Sequence, residues 1–153
     1  PHHKGGEFRK WYGNREWVIN WFHDGQEIKN SSNSGLQGKS MYFSSFASWS
    51  KISSKGNPLR YFECNCLFDS GAPAISNQEL FMTMGLLNGK VGELFLSVLS
   101  PTLNLQVGDV KGLPLIVERK EVVEKFVEEN IRISLIDWDS YETSWDYKRH
   151  PLV

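Results

Sequence analysis

Hydrophobic spacing changes period near residue 76, and that change constrains the fold more than any other feature of the chain. Downstream, Val91, Leu94, Phe95, Val98 and Leu99 fall at i, i+3, i+4, i+7 and i+8, the stripe of an amphipathic helix that must bury one face. Leu80, Phe81, Met84 and Leu87 form a shorter stripe, opened by Ser76-Asn77-Gln78-Glu79, which has the S-x-x-E form of a capping box. Gly89 between the two predicts separate helices with a sharp joint. A third helix is predicted over residues 119–135, with Val122, Val123, Phe126, Val127 and Ile131 inward. Glu121 with Lys125, and Glu128 with Arg132, supply i,i+4 pairs on its outer side.

Upstream of residue 76 the chain reads as β-structure. Residues 7–12 and 16–22 are rich in aromatic and β-branched side chains, and Gly13-Asn14-Arg15 between them suits a hairpin loop. Residues 30–35 form a polar loop without a core residue. Two further strands are predicted within 41–52 and 60–68, joined by the turn Ser53-Ser54-Lys55-Gly56-Asn57-Pro58. Residues 109–117 read as a turn entering a buried or edge strand, with Pro114 arguing against a central ladder position. Strands first and helices second give the α+β class, and 153 residues suit one domain, residues 1–153. The start at Pro1 suggests a piece of a larger protein. No apolar run approaches the roughly 20 residues that a membrane span needs.

Charge is unevenly distributed along the chain. Residues 1–60 carry nine Lys/Arg against four Asp/Glu, a net of +5, whereas residues 61–153 carry eight against fourteen, a net of -6. This predicts a basic working surface and a solvated acidic remainder. The basic half opens with Lys4-Gly5-Gly6-Glu7-Phe8-Arg9-Lys10-Trp11-Tyr12-Gly13-Asn14-Arg15-Glu16-Trp17, where cations, aromatics and glycines interleave. Lys4, Arg9, Lys10 and Arg15 suit phosphates, Trp11, Tyr12 and Trp17 suit base faces, and Asn14 and Arg15 suit base edges. Lys39, Lys51, Lys55 and Arg60 add cations in neighbouring loops. The same residues allow a second account, in which the aromatics alternate into a β-core and the cations merely face water.

Catalytic machinery does not assemble. The sequence has no G-x-S-x-G elbow, P-loop or H-E-x-x-H, no G-x-G for a Rossmann-type cofactor loop, and no adjacent prolines. Asp137 and Asp139 at the end of an acidic helix read as a solvated face. Cys64 and Cys66 are too few for a zinc site and have no histidine at ligand spacing, so they read as small thiols of a reducing cytoplasm. No catalytic or metal-binding residue is assigned.

The opening segment, followed by Val18-Ile19-Asn20-Trp21 and Asp24-Gly25, resembles the C-terminal region of adenine-specific DNA methyltransferases of the phage-growth-limitation (BREX) defence type. Trp49-Ser50-Lys51-Ile52, Leu86-Leu87-Asn88-Gly89-Lys90, Pro101-Thr102-Leu103-Asn104 with Gly108-Asp109-Val110 and Leu113-Pro114, and Ser144-Trp145-Asp146-Tyr147-Lys148-Arg149-His150-Pro151-Leu152 extend the likeness in order. Gly89 departs from the serine usual in that family. The stretch from Leu86 to Pro114 is also similar to target-recognition domains of type I restriction specificity subunits. The resemblance implies a twisted, mostly antiparallel sheet carrying DNA-facing loops, with helices packed on one side.

It further implies a DNA-recognition domain of an adenine-N6 methyltransferase, in the bacterial cytoplasm. S-adenosylmethionine and the catalytic motif would then lie in a catalytic domain of the same chain, and the segment alone would be no enzyme and hold no cofactor. The partners implied are double-stranded DNA, the catalytic domain and other defence-system proteins, with no membrane. Arg9, Lys10, Asn14 and Arg15 are the first candidates for DNA contact, while Phe8, Trp11 and Trp17 are candidates for burial. A protein-docking module built on the helical face of residues 119–139 is the alternative. An aromatic carbohydrate-binding sheet is a third reading, disfavoured by the +5 half.

Overall fold

The computed structural model of the chain describes residues 1–32, 35, 36 and 38–152. Among these, five short strands and five α-helices follow in order: β1 (His2–His3), α1 (Phe22–Asn30), β2 (Phe46–Ser48), β3 (Arg60–Phe62), β4 (Leu67–Phe68), β5 (Ala74–Ile75), α2 (Leu80–Asn88), α3 (Lys90–Leu99), α4 (Val107–Lys111) and α5 (Lys120–Trp138). A three-stranded antiparallel sheet runs β3-β2-β5, with Phe46 opposite Phe62 and Ser48 opposite both Arg60 and Ala74. β1 and β4 pair separately and in parallel. The architecture is α+β.

The central strand β2 sets the layering. Successive side chains on a strand point to opposite faces. Phe46 enters an aromatic layer with Phe62, Cys66 and Phe68, whereas Ala47 and the following Trp49 enter a second core with Met84, Leu87, Val110 and Val127 from α2, α4 and α5. Trp49 is fully buried, and its indole N–H donates to Leu105 O at 3.0 Å, so its one polar atom is satisfied. Buried on both faces, this short strand shows no clean polar alternation.

α2 is the hub of the helical layer, packed against β2, α3 and α5. It is apolar on nearly every side, as a helix at the centre of a core must be. α3 crosses it at Gly92, where a Cβ would lie 2.1 Å from Leu86 O and 2.8 Å from Leu87 Cα. Only a residue without a side chain permits that approach.

Several expectations are corrected. Residues 7–12 and 16–22 form no hairpin. Trp11, Gly13 and Asn14 take positive φ (70°, 124° and 56°), which breaks an extended ladder, and side chains satisfy the segment's backbone instead. At Gly13 a Cβ would meet Trp138 at 3.0 Å, so chain direction and close packing both require glycine there. The strands within 41–52 and 60–68 shrink to β2, β3 and β4. Residues 109–117 contain the end of α4 and coil in place of a strand. α2 begins where Ser76-Asn77-Gln78-Glu79 placed it, but the Ser76 hydroxyl donates to Ser45 O and caps nothing. Val122 and Phe126 of α5 face outward, and its intrahelical ion pairs are Lys120–Glu124 and Arg132–Glu129. Of the loop 30–35, Asn33 and Ser34 lie outside the described residues.

Gly92→Ala places a methyl group against main chain that cannot move without separating α2 from α3. Denaturant unfolding is expected to show a loss of about 1–3 kcal/mol or more. An unchanged midpoint would contradict the close crossing.

Candidate functional site

The basic-aromatic segment 4–17 lies as a coil strapped across the edge of the sheet. Trp11 N–H donates to Leu59 O at 2.9 Å and Trp11 O accepts from Tyr61 N–H at 2.8 Å, a single parallel bridge to β3. Beyond that bridge and the bond from His2 N–H to Trp17 O at its far end (2.8 Å), side chains hold the strap. Asn14 is buried and its amide donates to Gly5 O (3.1 Å) and Glu7 O (2.9 Å). The Ser50 hydroxyl donates to Gly6 O at 2.8 Å.

Arg60 is the central tie. Its side chain is 0% exposed and donates to Glu7 O (3.3 Å), Arg9 O (3.4 Å) and Ser50 Oγ (3.1 Å). Its Nη2 also stands 3.3 Å from His3 Nε2. A guanidinium only donates, so that nitrogen of His3 accepts, and its Nδ1–H points to Asn14 O at 3.4 Å. Burial lowers the Arg60 pKa to about 10, leaving it charged at neutral pH. Burial first, and then the charges of Arg60 and Arg15, push the His3 imidazole well below its ordinary value, so His3 is neutral.

Three of the four cations of the strap are also engaged internally. Arg15 is buried, pairs with Glu63, donates to Tyr61 O at 3.1 Å and lies over the Tyr12 ring at 4.2 Å. Tyr12 is buried as well, which pushes its phenol up to about 12. Arg9 bonds Asp137 at 3.0 Å and stacks over Trp138. Lys10 bonds Asn88 O (3.0 Å) and Glu93 (2.5 Å) on the α2–α3 joint. Trp11 packs half-buried on the main core. Conversely Phe8 and Trp17, which sequence reasoning assigns to burial, are 44% and 56% exposed.

Lys4, Lys39, Lys51 and Lys55 differ from the other site candidates. Among the described residues none of them makes a salt bridge. Lys4 is exposed, with Nζ 5.0 Å from the centre of the Trp17 ring. Lys51 N–H donates to Gly71 O, and Gly71 also abuts the Lys4 main chain, so the two lysines leave neighbouring backbone. Lys55 lies in the 53–58 loop, which faces Thr102 and Leu103 across an open groove of about 650 Å³ that also contains Phe8. Lys39 is exposed beside the aromatic layer, where Gly38 packs on Phe68. Among the described residues no cluster of three or more His, Cys, Asp or Glu could hold a metal; Cys66 is buried and Cys64 exposed. No helix among them is long and apolar enough to cross a membrane.

His3, Ser50 and Asn88 are structural anchors that the sequence did not reveal. The Asn88 amide brackets Leu59, accepting from its N–H at 2.8 Å and donating to its carbonyl at 2.9 Å. Such long-range side-chain bonds have no local spacing signal.

No family model matches the chain. Along its whole length it is similar to adenine-specific methyltransferases. It is 38% identical over 159 residues to the adenine-specific methyltransferase BrxX of Escherichia coli O9:H4 (strain HS). It is 36% identical over 163 residues to the adenine-specific methyltransferase PglX of Lacticaseibacillus casei (strain Zhang). The chain covers 13% of the first and 14% of the second, so it spans about one-seventh of the length of the curated relatives it matches. Over its whole length the chain is thus homologous to one segment of BrxX- and PglX-type adenine-specific methyltransferases.

The buried neutral His3 gives the strap a pH dependence of defined sign. Its folded pKa lies below the unfolded value of 6.5, so the unfolded chain takes up the proton first. The stability it contributes is complete above pH 6.5 and falls as pH drops toward the folded pKa, by at most about 1.4 kcal/mol per pH unit. His2, lowered by burial that outweighs Asp69, acts in the same direction. Gln at position 3 supplies a donor and an acceptor without titrating. Urea unfolding of His3→Gln is expected to lose less stability than the native chain between neutral pH and about pH 5. Equal losses would show that His3 is not the acid-sensitive group.

Proposed function

We propose that residues 1–153 form a target-recognition module of an adenine-N6 DNA methyltransferase in a phage-defence system, placed toward the C-terminal end of that protein. The observation that carries this reading is the alignment of the entire chain with one segment of two adenine-specific methyltransferases. The geometry supplies a surface for it. Lys4, Lys51 and Lys55, which make no salt bridge among the described residues, would hold phosphates: Lys55 sits in the 53–58 loop, whose Ser54 and Asn57 line a groove with Thr102, Lys51 stands just before that loop, and Lys4 lies beside Trp17. Lys39 is a further phosphate candidate. Arg60, Arg15, Asn14 and Tyr12 act as struts for that surface, because buried side chains offer DNA nothing to touch.

The methyl donor belongs to another part of the protein in this reading. A dinucleotide-like cradle needs a strand that feeds a loop and a helix. Among the described residues the one parallel strand pair, β1–β4, leads from β1 into the strap and from β4 into the turn before β5. These residues do not fit S-adenosylmethionine, and no methyl-transfer step passes through them. Protein docking is a compatible second role, favoured by the uncovered apolar faces of α3 and α5.

Each lysine that neutralises a phosphate releases a counterion, so its loss flattens the salt dependence of binding. In the intact methyltransferase, Lys4→Ala, Lys51→Ala and Lys55→Ala combined are expected to weaken duplex binding and reduce the slope of log K against log salt by up to about 2.7, or ~0.9 per contact. Arg60→Gln is expected to lower stability while leaving the slope unchanged. Native affinity and slope in the triple variant would sink the placement of the DNA surface.

A further inference from the structure

The α3 stripe that its spacing assigns to the core points away from it: Val98 is 73% and Leu94 66% exposed. Val91 and Phe95 of the same helix form one wall of an apolar groove of about 470 Å³. The opposite wall is Val123 and Phe126 of α5, with Ile116 at the rim and α2 as the floor. α5 also carries a second stripe. It already buries Val127 and packs Val123 and Ile131 on the core, yet Val122, Phe126, Ile133 and Ile136 are each more than half exposed. With Glu129 in the sequence gap, these positions step by four, three, four and three residues, the rhythm on which one helix seats another.

Single exposed hydrophobes are ordinary, but two helical stripes meeting at a groove are a contact surface. We infer that this surface seats an amphipathic helical element from the part of the same methyltransferase polypeptide that lies outside residues 1–153. The chain amounts to 13–14% of relatives that align along all of it, so most of such a polypeptide is available to cover the face. Charges of both signs rim the α5 stripe, among them Glu121, Lys125 and Glu128, which suits a protein and not the uniformly negative backbone of DNA. A second copy fits poorly. Two-fold antiparallel packing centred on the stripe would set Glu129 against its own symmetry mate inside an apolar seam. The inference rests on membership in a longer methyltransferase, and not on which residues touch DNA.

A photo-crosslinking phenylalanine analogue at Phe126 or Val98 of the intact methyltransferase tests it, with isotope-labelled and unlabelled protein mixed before irradiation. The expected adducts join this segment to peptides outside residues 1–153 carrying the same label. Adducts between opposite labels, adducts to another protein, or solvent-quenched product alone would each overturn the inference. Hydroxyl-radical footprinting of the unsubstituted protein covers the case in which the analogue disturbs folding. Phe95 and Phe126 are expected to drop to the modification level of the fully buried Phe46. Modification as extensive as in the unfolded chain would overturn the inference. Neither readout involves DNA, so a negative result leaves the lysine contacts standing.

Discussion

A buried guanidinium organises this structure. Arg60 sits on β3 with no exposed surface, and a charge removed from water demands acceptors close by. It finds two carbonyls of the strap, the Ser50 hydroxyl and the neutral nitrogen of His3. Among the described residues its Nε has no partner, so four of its five N–H groups are matched there. Strap, β1 and the Ser50 turn therefore depend on one another. Without the strap the guanidinium loses two carbonyl acceptors, and without the guanidinium Arg9 O loses its side-chain donor and Glu7 O keeps only the Asn14 amide. A non-repetitive segment rich in glycine and positive φ is thereby held by side-chain hydrogen bonds in place of a ladder.

The same logic redistributes the charge asymmetry of the chain. A +5 first part and a -6 remainder suggest two electrostatic faces, but folding brings members of the two together. Arg9 meets Asp137, Lys10 meets Glu93 and Arg15 meets Glu63, each pair spanning the division at residue 60. Exposed ion pairs add little stability. Arg9 and Lys10 chiefly fix where the strap lies against α5 and α3, and Arg15, buried on Tyr12, adds packing as well. The positive potential left over belongs to lysines on neighbouring backbone and loops.

What was legible in the sequence follows from the range of each signal. Helices at Leu80–Asn88, Lys90–Leu99 and Lys120–Trp138 were visible because a 3.6-residue period is local, and Gly89 marked their joint correctly. Which face each helix buries was not. Periodicity shows that α3 has an apolar side, but whether anything within the chain covers it is a tertiary fact. In α5, Val122 and Val123 are adjacent, so composition alone could not separate the inward stripe from the outward one. The strap misled for a different reason. Its aromatics have strand-like composition, yet Trp11 and Asn14 adopt left-handed backbone held by partners outside the segment, Leu59 and Tyr61 at Trp11 and His3 at Asn14 O. Asn14 and Arg15 looked like base readers because the donors that suit base edges equally suit buried carbonyls.

α3 connects the two surfaces that remain. Its Glu93, Leu96 and Ser97 line the groove facing the lysine-bearing 53–58 loop, while Val91 and Phe95 line the apolar groove shared with α5. Gly92, between these sets, locks the helix main chain to main chain on α2, and Lys10 ties the strap to Glu93. A rigid helix that forms one wall of each groove cannot shift toward one without shifting the other. An element seated on the apolar side would therefore bear on the polar groove through α3, the wall that the two grooves share.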